Sequence, residues 1–305
     1  MTDNKFSFVS IDELESEHIA APQYSYWKSV FKKFFASKVT VFFLIVSVIV
    51  LVLAIVQPMM SGYSPSQHIN INVAGSKFNP PSMNEWFGTD SFGDSLFDQV
   101  WLGARTSLFI AFSATAITTV LGVIVGAFWG YLKSLDKIML EIYNVIANVP
   151  FTLLVFVLMY ILGRGTSQLI FSLSVTSWLN TAYFIRVQVM IIRDREYNLA
   201  SRCLGTSTWN IVKNNVLPYL ISVIVTSVSR DIPSFISLEV FLSYLGIGVG
   251  EKTASLGKTI SDNTVYLAQS PHTFWIPVAV LAMITISLYV VGQNLADASD
   301  PKTHI

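Results

Sequence analysis

The sequence predicts an all-α polytopic membrane protein with six transmembrane helices and both termini in the cytoplasm. Three observations lead there. Hydrophobic residues make up 52% of the 305 and charged ones only 12%, about half the charged share of a soluble domain. Mean hydropathy is +0.56. The apolar residues are gathered into runs of about 18 or more, enough to cross a hydrocarbon core of about 30 Å, with polar connectors between them. Net charge is zero and no basic tract stands out, so nucleic acid is not an expected partner. The single Cys203 excludes an intrachain disulfide, and His18, His68, His272 and His304 are too scattered to suggest a metal site.

Residues 1–38 form a polar tail expected in the cytoplasm. It ends in lysines (Lys28, Lys32, Lys33, Lys38) interleaved with Tyr24, Tyr26, Trp27, Phe31, Phe34 and Phe35. Such alternation predicts an amphipathic segment lying at headgroup level. The first span, 39–60, lacks a small-residue cleavage site and reads as an anchor, not a removable signal. A hydrophilic insert, 61–105, follows. Asp90, Asp94 and Asp98 recur every fourth residue, which predicts one acidic face if the stretch is helical. Their spacing does not match a calcium-binding loop.

Residues 106–294 are predicted as a five-helix core. In its first helix Ala114, Thr118, Gly122, Gly126 and Gly130 form a small-residue stripe, against which another helix can approach backbone to backbone. Packing within the chain is the expectation. A third span over 138–162 carries Glu141, Asn144, Asn148 and Pro150, and should enter the bilayer beside protein or water. In the fourth, 169–192, Arg186 lies six residues from the end, about 9 Å at helical rise, within reach of snorkelling. The fifth, beginning near Pro218, contains Arg230, Asp231, Pro233 and Glu239. Intramembrane charges are functional candidates by default, with a structural pair as the alternative. Pro233 should disturb that helix. The run Ser255–Thr259 reads SLGKT, but Lys252 stands where a phosphate-binding loop needs its first glycine, so no nucleotide site is expected on this chain. A sixth span, 274–291, leads to a short tail, 295–305.

Between the fourth and fifth spans lies a long polar run, 193–218, reading RDREYNLASRCLGTSTWNIVKNNVLP. From Glu196 to Lys213 it holds no proline and one glycine, Gly205. That predicts two short helices meeting where a residue without Cβ permits a turn or a close approach. With the N-terminus inside, twelve basic residues (Lys5, Lys28, Lys32, Lys33, Lys38, Lys133, Lys137, Arg193, Arg195, Arg202, Lys213, Lys302) face the cytoplasm. Five (Lys77, Arg105, Arg164, Lys252, Lys258) face outward, and this asymmetry sets the predicted orientation.

The run resembles the cytoplasmic loop of ABC-importer permeases. Ala200, Gly205, Leu217 and Pro218 fall on that family's pattern, with Leu199 in place of its Glu, Ser201 in place of its second Ala, and Glu196–Tyr197 upstream as in the oligopeptide and dipeptide permeases. Phe87, Gly88, Thr89, Asp90, Gly93, Gly103, Ala104, Arg105, Ser107 and Leu108 resemble a second motif of those permeases, with Asp94 in place of its Arg. Leu245, Gly246, Gly248 and Ser255–Leu256–Gly257 resemble a third region, and NLADASDP at 294–301, with Ala296 for Gly, a fourth. The resemblance implies the C-type permease subunit of an ATP-driven importer for oligopeptides, itself not an enzyme. The implied partners are a second homologous permease, two ATPase subunits holding ATP and magnesium, an extracytoplasmic substrate-binding lipoprotein, and the peptide. Glu196, Leu199, Ala200, Ser201, Gly205, Leu217 and Pro218 would form the ATPase-coupling loop, and Arg186, Arg230, Asp231 and Glu239 are candidates for the translocation path. An ion-coupled secondary transporter or channel is the rival class, although no inverted repeat is evident.

Overall fold

The computed structural model describes residues 25–68 and 72–299. Most of the predicted 1–38 tail, with Lys5 and His18, lies outside the described residues, as does the 300–305 part of the C-terminal tail, with Lys302 and His304. Among the described residues there is no β-strand; a single bridge pairs Thr89 with Ser95.

An amphipathic helix, α1 (Tyr26–Ala36), precedes α2 (Lys38–Ser61). Ser37 separates them, its hydroxyl accepting the Thr40 N–H as N-cap, and Gly62 ends α2 in the left-handed region at φ 63°. Thr40, Ser47, Val50 and Ala54 face the bundle, whereas Phe42, Ile45, Ile49, Val52 and Ile55 are exposed. Small and polar residues inward with large aliphatics outward is the pattern of a helix solvated by lipid, where close packing replaces the hydrophobic effect as the cohesive force.

The long helix α3 (Leu96–Tyr131) is the central post. It starts at Leu96, inside the predicted 61–105 insert. The predicted acidic face does not form. Gly93, at φ 82°, and the Thr89–Ser95 bridge hold Asp90 and Asp94 in a turn ahead of the helix. There Asp90 accepts the N–H groups of Phe92 and Asp94, both at 2.9 Å, and the Gln99 amide at 2.7 Å. Burial pushes its carboxyl above the ordinary range in spite of these bonds. Asp94 binds His68 Nδ1 at 2.6 Å, and Asp98 in the first turn of α3 accepts from Gln57 at the end of α2. The three aspartates are therefore structural ties with three different partners.

The predicted third span is not one straight helix. α4 (Lys133–Ala147) and α5 (Phe151–Leu162) meet at 79°. The break falls at Asn148–Pro150, where proline biases its predecessor away from helix and removes an N–H. α4 buries no residue. Next come α6 (Thr166–Ile192), the two short helices α7 (Glu196–Cys203) and α8 (Thr208–Ile211), and α9 (Ile221–Tyr244). α10 (Leu256–Thr264) and α11 (Pro271–Ser299) complete the chain. α9 continues through Pro233 without a break. α2, α3, the 208–244 stretch and α11 are each long and apolar enough to cross a membrane, and α4–α5 qualifies as a bent pair. α6 falls short on apolarity because its inward face carries Ser172, Ser174, Thr176 and Arg186.

α6 runs parallel to α3 and packs along the small-residue stripe. A Cβ built on Gly122 would lie 2.6 Å from Thr181 Cβ, one on Gly126 2.8 Å from Ile185 Cβ, and one on Gly130 2.7 Å from Val189 Cβ. No Cβ fits at those separations, so the three glycines set the distance between the two helix backbones. The stripe's partner is a helix of the same chain.

Candidate functional site: a braced two-helix loop

α6 ends at Ile192, and the chain turns back at once into α7. The turn is held by side chains. Asn198, fully buried, donates from Nδ2 to Ile192 O at 2.9 Å. Arg193 reaches across to Gly130 O at 2.9 Å. Arg202 donates through Nε to the Tyr131 hydroxyl (2.8 Å) and through Nη2 to Arg193 O (2.8 Å), with its guanidinium 4.9 Å from the Tyr131 ring centroid. Asp194 lies 3.2, 3.7 and 3.9 Å from the basic groups of Arg193, Arg202 and Lys133. The Arg193 hydrogen bond and the lysine's charge hold its carboxyl below the ordinary range. Exposed ion pairs contribute little. The buried amide and the two arginines bound to main-chain oxygens therefore do most to fix the turn.

α7 closes in a Schellman motif: Thr206 N–H bonds Ser201 O at 3.0 Å and Gly205 N–H bonds Arg202 O at 2.9 Å. Gly205 sits at φ 78°, and a Cβ there would meet nothing within 4 Å. The glycine serves the turn and not a close approach within the chain. Ser207 caps α8, which passes through a π turn (Val212–Val216) and a 3₁₀ turn (Leu217–Leu220) into α9. Pro218 occupies the opening of that 3₁₀ turn, where a missing N–H costs least. Ile211, Val212, Val216 and Leu220 bury themselves against Ala127, Tyr131, Ile185 and Val189 at the ends of α3 and α6. Trp209 stacks on Phe128 (5.7 Å, 9°) and Tyr197 on Tyr219 (5.6 Å).

Of the predicted loop residues, Glu196 occupies the first turn of α7 and is exposed, on the side favoured by the helix dipole. Leu199 and Ala200 are exposed. Ser201 is a brace: its Oγ donates to Tyr197 O at 2.9 Å and accepts from Asn215 at 3.1 Å, tying α7 to the π turn. Leu217 is half-buried. The exposed surface holds apolar side chains, Leu204 at 85%, Trp209 at 58% and Leu199 at 45%. These are large apolar groups on an otherwise polar loop. Asn198, the Arg202–Tyr131 contact and the Trp209–Phe128 stack are not signalled by the sequence pattern. Each depends on a residue tens of positions away or on a burial that no periodicity announces.

The membrane charges separate into three environments. Arg186 is buried against the protein. Its Nε binds Asp136 of α4 at 2.5 Å, Trp129 Nε1 donates to the same carboxylate at 3.1 Å, and the guanidinium lies 5.2 Å from the Trp129 ring. A paired, ring-covered guanidinium is far cheaper at this depth than a free one. Arg230 and Asp231, 3.7 Å apart, line a 250 Å³ cleft with Asn180, Thr181 and Ser234. Glu239 is fully buried. Ser243 donates to its Oε1 at 2.7 Å, and the hydroxyls of Ser107 and Ser255 flank the same carboxylate. Each of these serines also accepts a backbone N–H: Ser243 from Val249, Ser107 from Leu256 and Ser255 from Lys258. Glu239 and these serines thus form a buried polar cluster where α3, α9 and the start of α10 meet. Glu239→Leu removes the acceptor and strands the buried Ser243 hydroxyl, a loss of about 1–3 kcal/mol; Glu239→Gln, which still accepts from Ser243, loses less. Thermal unfolding in detergent should rank wild type above Gln and Gln above Leu.

A bundle of apolar helices around a glycine-spaced post, with a braced polar loop at one end and a polar cleft between helices, defines a multi-pass membrane permease. A family model described as the binding-protein-dependent transport system inner membrane component matches residues 118–305, and one described as the N-terminal TM domain of oligopeptide transport permease C matches 25–81. The chain is 50% identical over 300 residues to the oligopeptide transport system permease protein AmiD of Streptococcus pneumoniae (strain ATCC BAA-255 / R6), covering 98% of this chain and 97% of AmiD. It is 34% identical to the oligopeptide transport system permease protein OppC of Bacillus subtilis (strain 168), with the same coverage. The chain belongs to the family of binding-protein-dependent transport system inner membrane components, and is a transport subunit of the bacterial cell membrane. In fold it is similar to a chain of the inward-facing MetNI methionine ABC transporter, with TM-score 0.55 and 18% identity over 66% of this chain and 97% of that one.

Proposed function

We propose that this chain is one of two paired permease subunits of an ATP-driven importer of oligopeptides. α2, α3, the bent α4–α5 pair, α6, α9 and α11 form six spans, with both termini and the 193–218 loop in the cytoplasm. Two ATPase subunits carry ATP and magnesium, and a substrate-binding lipoprotein delivers peptide on the other side. The exposed Leu199–Ala200–Leu204–Trp209 surface on a loop bolted to α3 and α6 is the observation that carries this reading. A surface so fixed transmits a push from an ATPase to the helices behind it, because the loop cannot absorb the motion itself. The 3₁₀ turn at Leu217–Pro218 passes that motion into α9, which carries Arg230 and Asp231 along the polar cleft. Alternating access follows as α9 moves against α6. The AmiD and OppC likenesses support peptide as the substrate class.

A gentle pull-down of the tagged chain from native membranes tests the reading. It should recover two ATPases, a second permease and a lipoprotein whose bound ligand identifies the substrate. Recovery of the chain alone, under conditions that keep a control transporter complex intact, would overturn it. So would uptake that collapses when the proton gradient is dissipated at constant ATP.

A further inference from the structure

A cavity of 610 Å³ opens between α2 and α3, away from the coupling loop and the polar cleft. Its wall is apolar: Leu51 and Ile55 of α2, and Phe109 and Phe112 of α3. Its rim is polar, carrying Arg105 and Thr166. Arg105 is exposed and has no ion pair or hydrogen-bond partner among the described residues. The depth of this rim follows from helix register. α3 and α6 run parallel, with Gly122 beside Thr181 and Gly130 beside Val189. Arg105 therefore comes level with Arg164, just ahead of the first turn of α6, which Thr166 opens. From there to Ile192 α6 covers about 40 Å at helical rise, so Arg105 lies at the membrane edge opposite the loop. Phe109 and Phe112 follow one and two turns deeper.

We propose that this cavity holds a phospholipid of the leaflet opposite the coupling loop, with its phosphate on Arg105 and an acyl chain along Phe109, Phe112 and Ile55. The polarity gradient from rim to wall matches that of a lipid, and an unpaired guanidinium at the hydrocarbon edge finds its counter-charge in a phosphodiester. A helix of a partner subunit is the rival occupant, which the cross-linking test separates from a lipid. The site is independent of the transport reading, and which leaflet is outer is the only point borrowed from it.

The test places a photoreactive benzoylphenylalanine at Phe109 in the intact complex, in nanodiscs of phosphatidylglycerol and phosphatidylethanolamine. Irradiation should give an adduct with the mass of a phospholipid. Arg105→Gln should lower its yield roughly fivefold or more, the worth of one basic group at an anionic surface, while Arg105→Lys should retain most of it. Because Arg105 supports no other described side chain, the variants should unfold at the same temperature as the parent. Cross-linking to another protein subunit would overturn the proposal. A lipid adduct indifferent to Arg105→Gln would do the same, since that is the behaviour of bulk annular lipid.

Discussion

Gly205→Leu is expected to reduce substrate uptake to background while the chain still inserts in the membrane at normal levels. The glycine holds φ 78° at the joint between α7 and α8, and a side chain in the left-handed region costs roughly 1–2 kcal/mol. No neighbour among the described residues contests the space, so insertion and bundle packing should survive. What fails is the angle between two helices that present Leu199, Leu204 and Trp209 to a partner. The Schellman bonds from Gly205 and Thr206 to Arg202 and Ser201 are lost with it. Gly205→Asn separates the two possible causes, because asparagine tolerates this backbone conformation although it adds bulk. Uptake by right-side-out vesicles, with the amount of inserted chain measured alongside, should show asparagine near wild type and leucine near zero. If asparagine is as damaging as leucine, bulk on the docking surface is the cause and the turn is not. Normal uptake by Gly205→Leu would remove the lever mechanism altogether.

The joint could be read from sequence because a lone glycine in a proline-free polar run marks a place where the backbone must turn or be approached closely. The helical content and most spans were legible for a similar reason: apolar runs of membrane length leave the backbone little choice but helix. The bend at Asn148–Pro150 was less legible. Its proline was visible, yet whether a proline kinks or breaks a helix depends on what the two halves bury, and α4 buries nothing. Pro233 makes the same point in reverse, since α9 passes straight through it under packing from both sides. Charges were the hardest to place. Arg186 pairs with a residue 50 positions away and Asp94 with one 26 positions away. Sequence spacing carries no trace of such ties, which only the tertiary arrangement creates.

The register of α3 against α6 rests on the glycine ladder, and Gly126→Leu is expected to cost the chain its folded state. At Gly126 a Cβ would already lie 2.8 Å from Ile185 Cβ and 3.0 Å from Ala182 Cα, so every atom beyond it must push two backbones apart. Overpacking of this kind costs about 1–3 kcal/mol where neighbours can shift, and more where they are main chain. The displacement would travel. One turn along, Gly130 contacts Arg186 and supplies the carbonyl that Arg193 binds, so a wider α3–α6 gap also loosens the turn into α7 and the Arg186–Asp136 pair. Packing and coupling are for this reason expected to fail together, whereas Gly205→Leu separates them. Gly250→Ala is the control, because its Cβ would meet only a carbonyl 3.8 Å away. Membrane-fraction yield and thermal unfolding in detergent should fall sharply for Gly126→Leu, moderately for Gly126→Ala, and not at all for Gly250→Ala. A Gly126→Leu chain that melts like wild type would mean that contact between α3 and α6 does not fix their spacing, and that the rigid post beneath the loop lies elsewhere.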